Sequence, residues 1–141
     1  GEQRWKDAEA GTFHPGAILN PEKLKGDEPQ FVKEYHDYYR TPRGFHERSL
    51  NSTGAWNATN ALSLMNMPIL TYIKEISPRP LLIIAGEKAH SRYFSEDAFK
   101  KLQGDNKELL IIPGANHVDL YDNIEVIPFG KIERFFNENL R

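Results

Sequence analysis

The chain has 141 residues, 39% of them hydrophobic and 27% charged, with a formal net charge of -2. That is one domain's length of chain, and its composition is that of a folded globular protein rather than a disordered one. No apolar run approaches the ~18 residues of a membrane span, no basic stripe suits nucleic acid, and the lack of Cys excludes disulfides, thiolate metal sites and a Cys nucleophile. The polar start, Gly1-Glu2-Gln3-Arg4-Trp5-Lys6, has no signal-peptide character, so a cytoplasmic location is expected.

Residues 1–66 are polar, aromatic-rich and short of aliphatic runs, whereas 67–141 hold almost all the strand-like material. In the first part, Asn20-Pro21-Glu22 predicts a helix start, with Asn as cap and Pro at the first helical position, and Asp27-Glu28-Pro29 repeats the signal. Phe31, Tyr35, Tyr38 and Tyr39 share one helical face, which predicts a helix over 29–39. Pro42 ends it by disfavouring helix at its predecessor. Residues 41–60 read as a long ordered loop. Tyr35, Tyr38, Tyr39, Phe45 and Trp56 either pack this segment or line a pocket beneath it.

In the second part, Pro68 opens a predicted helix with Ile69, Tyr72, Ile73 and Ile76 on one side, stopped by Ser77-Pro78-Arg79-Pro80. Leu81 to Ala85 is apolar without alternation, as in a parallel strand buried on both faces. Ser95 is the expected cap of the next helix, with Glu96 and Asp97 in its first turn, Phe94 and Phe99 as a hydrophobic staple, and Gly104 as its stop. Leu109 to Ile112 predicts a second buried strand, ended by Pro113-Gly114. A final helix from about Pro128 places Ile132, Phe135, Phe136 and Leu140 on one face. This order makes a βαβ unit with parallel strands and a further helix. Two such strands alone are marginal, and no third is evident. The chain therefore reads as part of a larger sheet, or as one that completes its sheet by association.

Function in open parallel sheets gathers at the carboxyl ends of the strands. Two loops lie there, Gly86-Glu87-Lys88-Ala89-His90-Ser91-Arg92 and Pro113-Gly114-Ala115-Asn116-His117-Val118-Asp119. A His beside a carboxylate is the arrangement of a general base and its orienting acid. His117 is the candidate base, or else a loop histidine bonded to Asp119 or to backbone. Glu87 is the candidate acid, or a solvated loop residue. His90 bonds to either group or faces water. The five histidines, with Asp119 two residues past His117, show no helical i, i+4 metal spacing, so neither metal nor cofactor is expected. Asn51-Ser52-Thr53 and Asn57-Ala58-Thr59 fit a glycosylation pattern, read here as chance.

The run Ile76-Ser77-Pro78-Arg79-Pro80-Leu81 through Ala85-Gly86-Glu87-Lys88-Ala89-His90-Ser91 resembles the acid-bearing strand and loop of bacterial α/β-hydrolases of the dienelactone-hydrolase-like group. Pro113-Gly114-Ala115-Asn116-His117-Val118-Asp119-Leu120-Tyr121-Asp122 resembles their catalytic-histidine loop, and Phe45-His46 through Ala61 their cap segment. The resemblance implies a partial α/β-hydrolase fold. Residues 1–66 would form a mostly helical cap segment, and 67–141 the last two strands with flanking helices. It also implies a triad histidine at His117. Many such hydrolases place an Asp at positions that are Ala89 and His90 here, which leaves Glu87, or an acid after an earlier strand outside the chain. The family's Gly-x-Ser-x-Gly nucleophile elbow is absent from residues 1–141, and Ser91 and Ser95 lie in no elbow.

Two functions follow. The chain is the carboxyl-terminal portion of a serine hydrolase acting on a small acyl substrate, or a non-catalytic interaction module derived from one. With no serine expected within reach of His117, the chain alone should lack esterase activity and phosphonate labelling. Four large aliphatic side chains left exposed would cost roughly 6–12 kcal/mol at ~1.5–3 each. A homo-oligomer, or association with an amino-terminal half, is therefore expected.

Overall fold

The computed structural model describes residues 1–16, 20–49 and 56–140. It divides into two compact units, Gly1–Pro68 and Ile69–Arg141. The first contains helices α1 (Glu2–Ala10), α2 (Gln30–Tyr39) and α3 (Asn60–Met65). Only Asp7 of α1 is buried, so the helix lacks the apolar stripe that marks most helices in sequence. It stops at Gly11, whose φ of 63° is left-handed and whose N–H reaches Ala8 O. Residues 20–29 form turns rather than the helix expected after Asn20-Pro21. The Glu28 carboxylate there accepts the N–H groups of Lys25 and Gly26, closing a local turn instead.

In α2 the aromatic residues stack along the helix. Ring centroids are 6.0 Å apart for Phe31–Tyr35 and again for Tyr35–Tyr39. Val32 is the helix's buried residue. Within 41–60, the sequence Asn51-Ser52-Thr53 lies outside the described residues, and Asn60 already begins α3. Pro15 and Asn57 form an antiparallel bridge that ties the two arms of this unit together.

The second unit runs from a short 3-10 turn (Ile73–Ile76) into β1 (Leu81–Gly86), α4 (Arg92–Lys101), β2 (Lys107–Ile112), α5 (Asp119–Asp122) and α6 (Phe129–Asn139). The helix expected from Pro68 is reduced to that 3-10 turn. β1 and β2 pair in parallel, with Leu81 opposite Lys107 and Gly86 opposite Ile112, and α4 packs against both. Helix α4 starts at Arg92, its cap position at Ser91 four residues before the expected cap Ser95, so Phe94 and Phe99 lie inside it and form no staple. Lys107 Nζ donates to Phe99 O and Leu102 O, satisfying carbonyls at its carboxyl end. Lys131 pairs with Glu108 at 2.6 Å, joining α6 to β2.

The core of this unit is small: Ile73, Ala85, Ala89, Leu102, Ala115 and Val118. Leu81 to Ile84 and Leu109 to Ile112 are only half-buried. Apolar strand runs were expected to be covered on both faces, and the described residues supply only part of that cover.

Candidate active site

The site is built on the carboxyl ends of the two parallel strands. β1 ends at Gly86 and β2 at Ile112, directly opposite each other. The backbone interlocks immediately beyond them. Glu87 N–H donates to Ile112 O at 2.9 Å, and Lys88 N–H to Ala115 O at 2.8 Å. Gly86 is required for this approach, since a Cβ there would lie 2.5 Å from Ala115 O and 2.7 Å from Asn116 O. Ala115 and Val118 point inward, and Val118 is fully buried. Asn116 Oδ1 accepts the N–H groups of Val118 and Asp119, while Asp119 Oδ2 accepts the Asn116 N–H at 2.9 Å. This reciprocal cap, of the capping-box kind, starts α5 and fixes the backbone on both sides of His117.

His117 is half-buried and engaged at both ring nitrogens. Nδ1 lies 2.6 Å from Ser91 Oγ, and Nε2 lies 2.7 Å from Tyr121 Oη. The exposed His90 ring is 5.4 Å from the His117 ring, centroid to centroid, at an interplanar angle of 48°. Glu87, expected as the orienting acid, is exposed and directs Oε2 to the Gly114 N–H at 2.7 Å rather than to His117. It braces the turn that leaves β2. Thus His117, His90 and Glu87 share one sheet edge, but the partner on Nδ1 is a hydroxyl from the β1 loop.

Two of these contacts were not foreseen. A serine does lie in hydrogen-bond reach of His117, contrary to the sequence expectation, because α4 opens at Arg92 and leaves Ser91 in the loop facing β2. Tyr121 follows His117 by four residues, the spacing that brings side chains together over one helical turn. The sequence displays that spacing.

Among the described residues, no group of three or more His, Asp or Glu side chains is placed to hold a metal, and no helix is long and apolar enough to cross a membrane. The cavity of about 1360 Å³ in the first unit lies against α1 and α3, with Trp5, Phe13, Leu62 and Met65 among its lining residues. Tyr35, Tyr38, Tyr39, Phe45 and Trp56 do not line it, so the pocket reading of that aromatic set does not describe this cavity.

No protein-family model matches the chain. It is 61% identical over 140 residues to the uncharacterized protein PA2218 of Pseudomonas aeruginosa, which covers 99% of this chain and 37% of that protein. It is 28% identical over 149 residues to the uncharacterized protein YcjY of Escherichia coli, covering 97% of this chain and 44% of that one. The crystal structure of PA2218 superposes with a TM-score of 0.86 at 60% identity, over 99% of this chain and 42% of that one. The α/β-hydrolase GrgF from Penicillium superposes with a TM-score of 0.68 at 16% identity, over 99% and 47%. The chain spans less than half the length of each. Its two parallel strands with flanking helices form a partial α/β-hydrolase fold.

Proposed function

We propose that the chain is the carboxyl-terminal portion of a serine α/β-hydrolase of the dienelactone-hydrolase-like group. Its full-length form would cleave an ester, thioester or related acyl bond of a small substrate in the cytoplasm, without a cofactor. The observation that carries this reading is the placement of His117, an imidazole held from both sides at the carboxyl edge of a parallel strand pair in a hydrolase-type fold.

In this reading a serine outside residues 1–141 attacks the acyl carbon, and His117 Nε2 takes its proton. The histidine then returns that proton to the departing alkoxide or thiolate. An acyl-serine forms, and water releases it by the same route in reverse. Tyr121 Oη marks the position at Nε2 that the attacking hydroxyl has to reach. Glu87 serves the loop, and His90 flanks the imidazole. Proton transfer of this kind contributes about 10²–10⁴-fold to rate. The test is replacement of His117 by Ala or Gln in the full-length protein. Acyl-ester turnover should fall by at least that factor with the fold retained, and unchanged turnover would remove His117 from the mechanism.

The interaction-module reading is favoured by a separate observation. Apolar side chains including Ile69, Phe94, Ile124 and Leu140 are exposed on the second unit, beside a sheet of only two strands among the described residues.

A further inference from the structure

One face of α1 walls the cavity of about 1360 Å³ in the first unit. Arg4, Asp7, Ala8 and Gly11 all line it, and they follow one another at i, i+3, i+4 and i+7. A helix ordinarily buries aliphatic side chains on such a face. Here the one buried residue of α1 is Asp7, only 7% exposed. Its Oδ1 accepts Gln3 Nε2 at 2.8 Å. Its Oδ2 is shut off from water and has no hydrogen-bond partner among the described residues. Burying a carboxylate is costly unless it is both paired and hydrogen-bonded. The neutral amide of Gln3 supplies one bond and no charge. Arg4, exposed and three residues earlier, does not supply the missing donor. The rest of the lining is mostly apolar and includes the exposed side chains of Trp5, Phe13, Leu62 and Met65.

We propose that this cavity binds an amine, a protonated primary ammonium carried on an aromatic or aliphatic body. The ammonium brings both things that Oδ2 lacks, a donor and a positive charge, and a hydrogen bond between two ions is stronger than one to a neutral amide. Oδ2 opens to it when the half-buried Gln3 side chain turns aside, so a cationic donor takes the place of a neutral one. The body of the ligand covers the apolar wall, where the rings of Trp5 and Phe13 add their attraction for a cation. A neutral molecule of the same shape would cover that wall equally well and leave the carboxylate unmatched. An anion would meet Asp7 as a like charge. The cavity is roomy enough for an ordinary small molecule. The inference rests on the first unit alone and goes beyond the hydrolase reading.

The experiment is a titration of the 141-residue chain at neutral pH with 2-phenylethylammonium and, separately, with its neutral counterpart 2-phenylethanol, followed by ¹H–¹⁵N amide spectra. The ammonium should move the signals of Asp7, Gly11 and Leu62 and bind about 10-fold or more tightly than the alcohol, the ratio set by one hydrogen bond to a charged group. Asp7→Asn, which keeps the shape and removes the charge, should erase that preference. Gln3→Ala, which removes the competing amide, should tighten the ammonium and leave the alcohol unchanged. Equal affinity for the two probes, a preference that persists in Asp7→Asn, or shifts that leave α1 and α3 untouched would overturn the proposal. If Asp7→Asn does not fold, Gln3→Ala decides: binding of the ammonium no tighter than in wild type would overturn it.

Discussion

At the scale of single residues, the site depends on how closely two loops approach. Gly86 has no side chain because the carbonyls of Ala115 and Asn116 occupy the space a Cβ would need. Gly86→Ala should therefore destabilise the chain by ~1–3 kcal/mol, the usual cost of overpacking, and displace His117 from Ser91. Urea denaturation and the histidine-ring spectrum measure the two effects. A second residue-scale effect lies in the turn at Lys25–Glu28. The N–H groups of Lys25, at 2.5 Å, and Gly26, at 2.8 Å, donate to the Glu28 carboxylate. The Lys25 bond is the main cause holding its pKa below the usual carboxylate range. A group lowered in the folded state stabilises the turn above its unfolded pKa and loses that effect as pH falls through the folded value. The amide signals of Lys25 and Gly26 should move together on acidification, with a midpoint below that of an ordinary Glu, and Glu28→Gln should abolish the transition.

The histidine was legible in the sequence because small residues and a Pro-Gly stop surround it at the end of an apolar run. Its hydroxyl partner was not. Ser95-Glu96-Asp97 imitates a helix start better than Ser91-Arg92-Tyr93 does. At the observed start the Arg92 N–H closes a turn onto Ala89 O, and Arg92 pairs with Glu96 at 2.8 Å, an i,i+4 spacing that the sequence displays but that marks no helix start by itself.

At the scale of elements, the two strands were readable from uninterrupted aliphatic runs, and α2 from the spacing of its tyrosines. The short helices were not. α1 buries only Asp7, and α5 is a single turn organised by the Asn116–Asp119 exchange. Such elements exist through local capping and contacts rather than through an apolar period. α4 depends on a device of the same kind at its other end. The Lys107 ammonium donates to the carbonyls of Phe99 and Leu102 and lies 4.8 Å from the Phe99 ring centroid. Lys107→Met should keep the aliphatic stem but lose both bonds and the favourable charge at the helix end. A loss of about 1–2 kcal/mol in chemical denaturation is expected, with hydrogen exchange accelerating first at the carboxyl end of α4. An unchanged denaturation midpoint would show that water replaces the ammonium at no cost.

At the scale of the whole molecule, the second unit has a two-stranded parallel sheet whose aliphatic side chains are half-buried, and it carries exposed Phe94, Ile124, Phe136 and Leu140. Parallel sheets are normally covered on both faces, and unpaired strand edges recruit further strands. The isolated chain should consequently self-associate at micromolar concentration, or bind the remainder of a hydrolase when both are supplied. Light scattering checks this, and a cooperative monomer would show that the half-covered sheet suffices.

The central claim, that His117 is the proton shuttle for a serine supplied by the rest of a hydrolase, is tested most directly by labelling with a serine-directed fluorophosphonate, read by mass spectrometry. The full-length protein should be labelled stoichiometrically at one serine outside residues 1–141. The rate should drop at least 100-fold on His117→Ala, and the 141-residue chain should take up no label. Labelling at Ser91, or labelling of the full-length protein at a rate indifferent to His117, would contradict it.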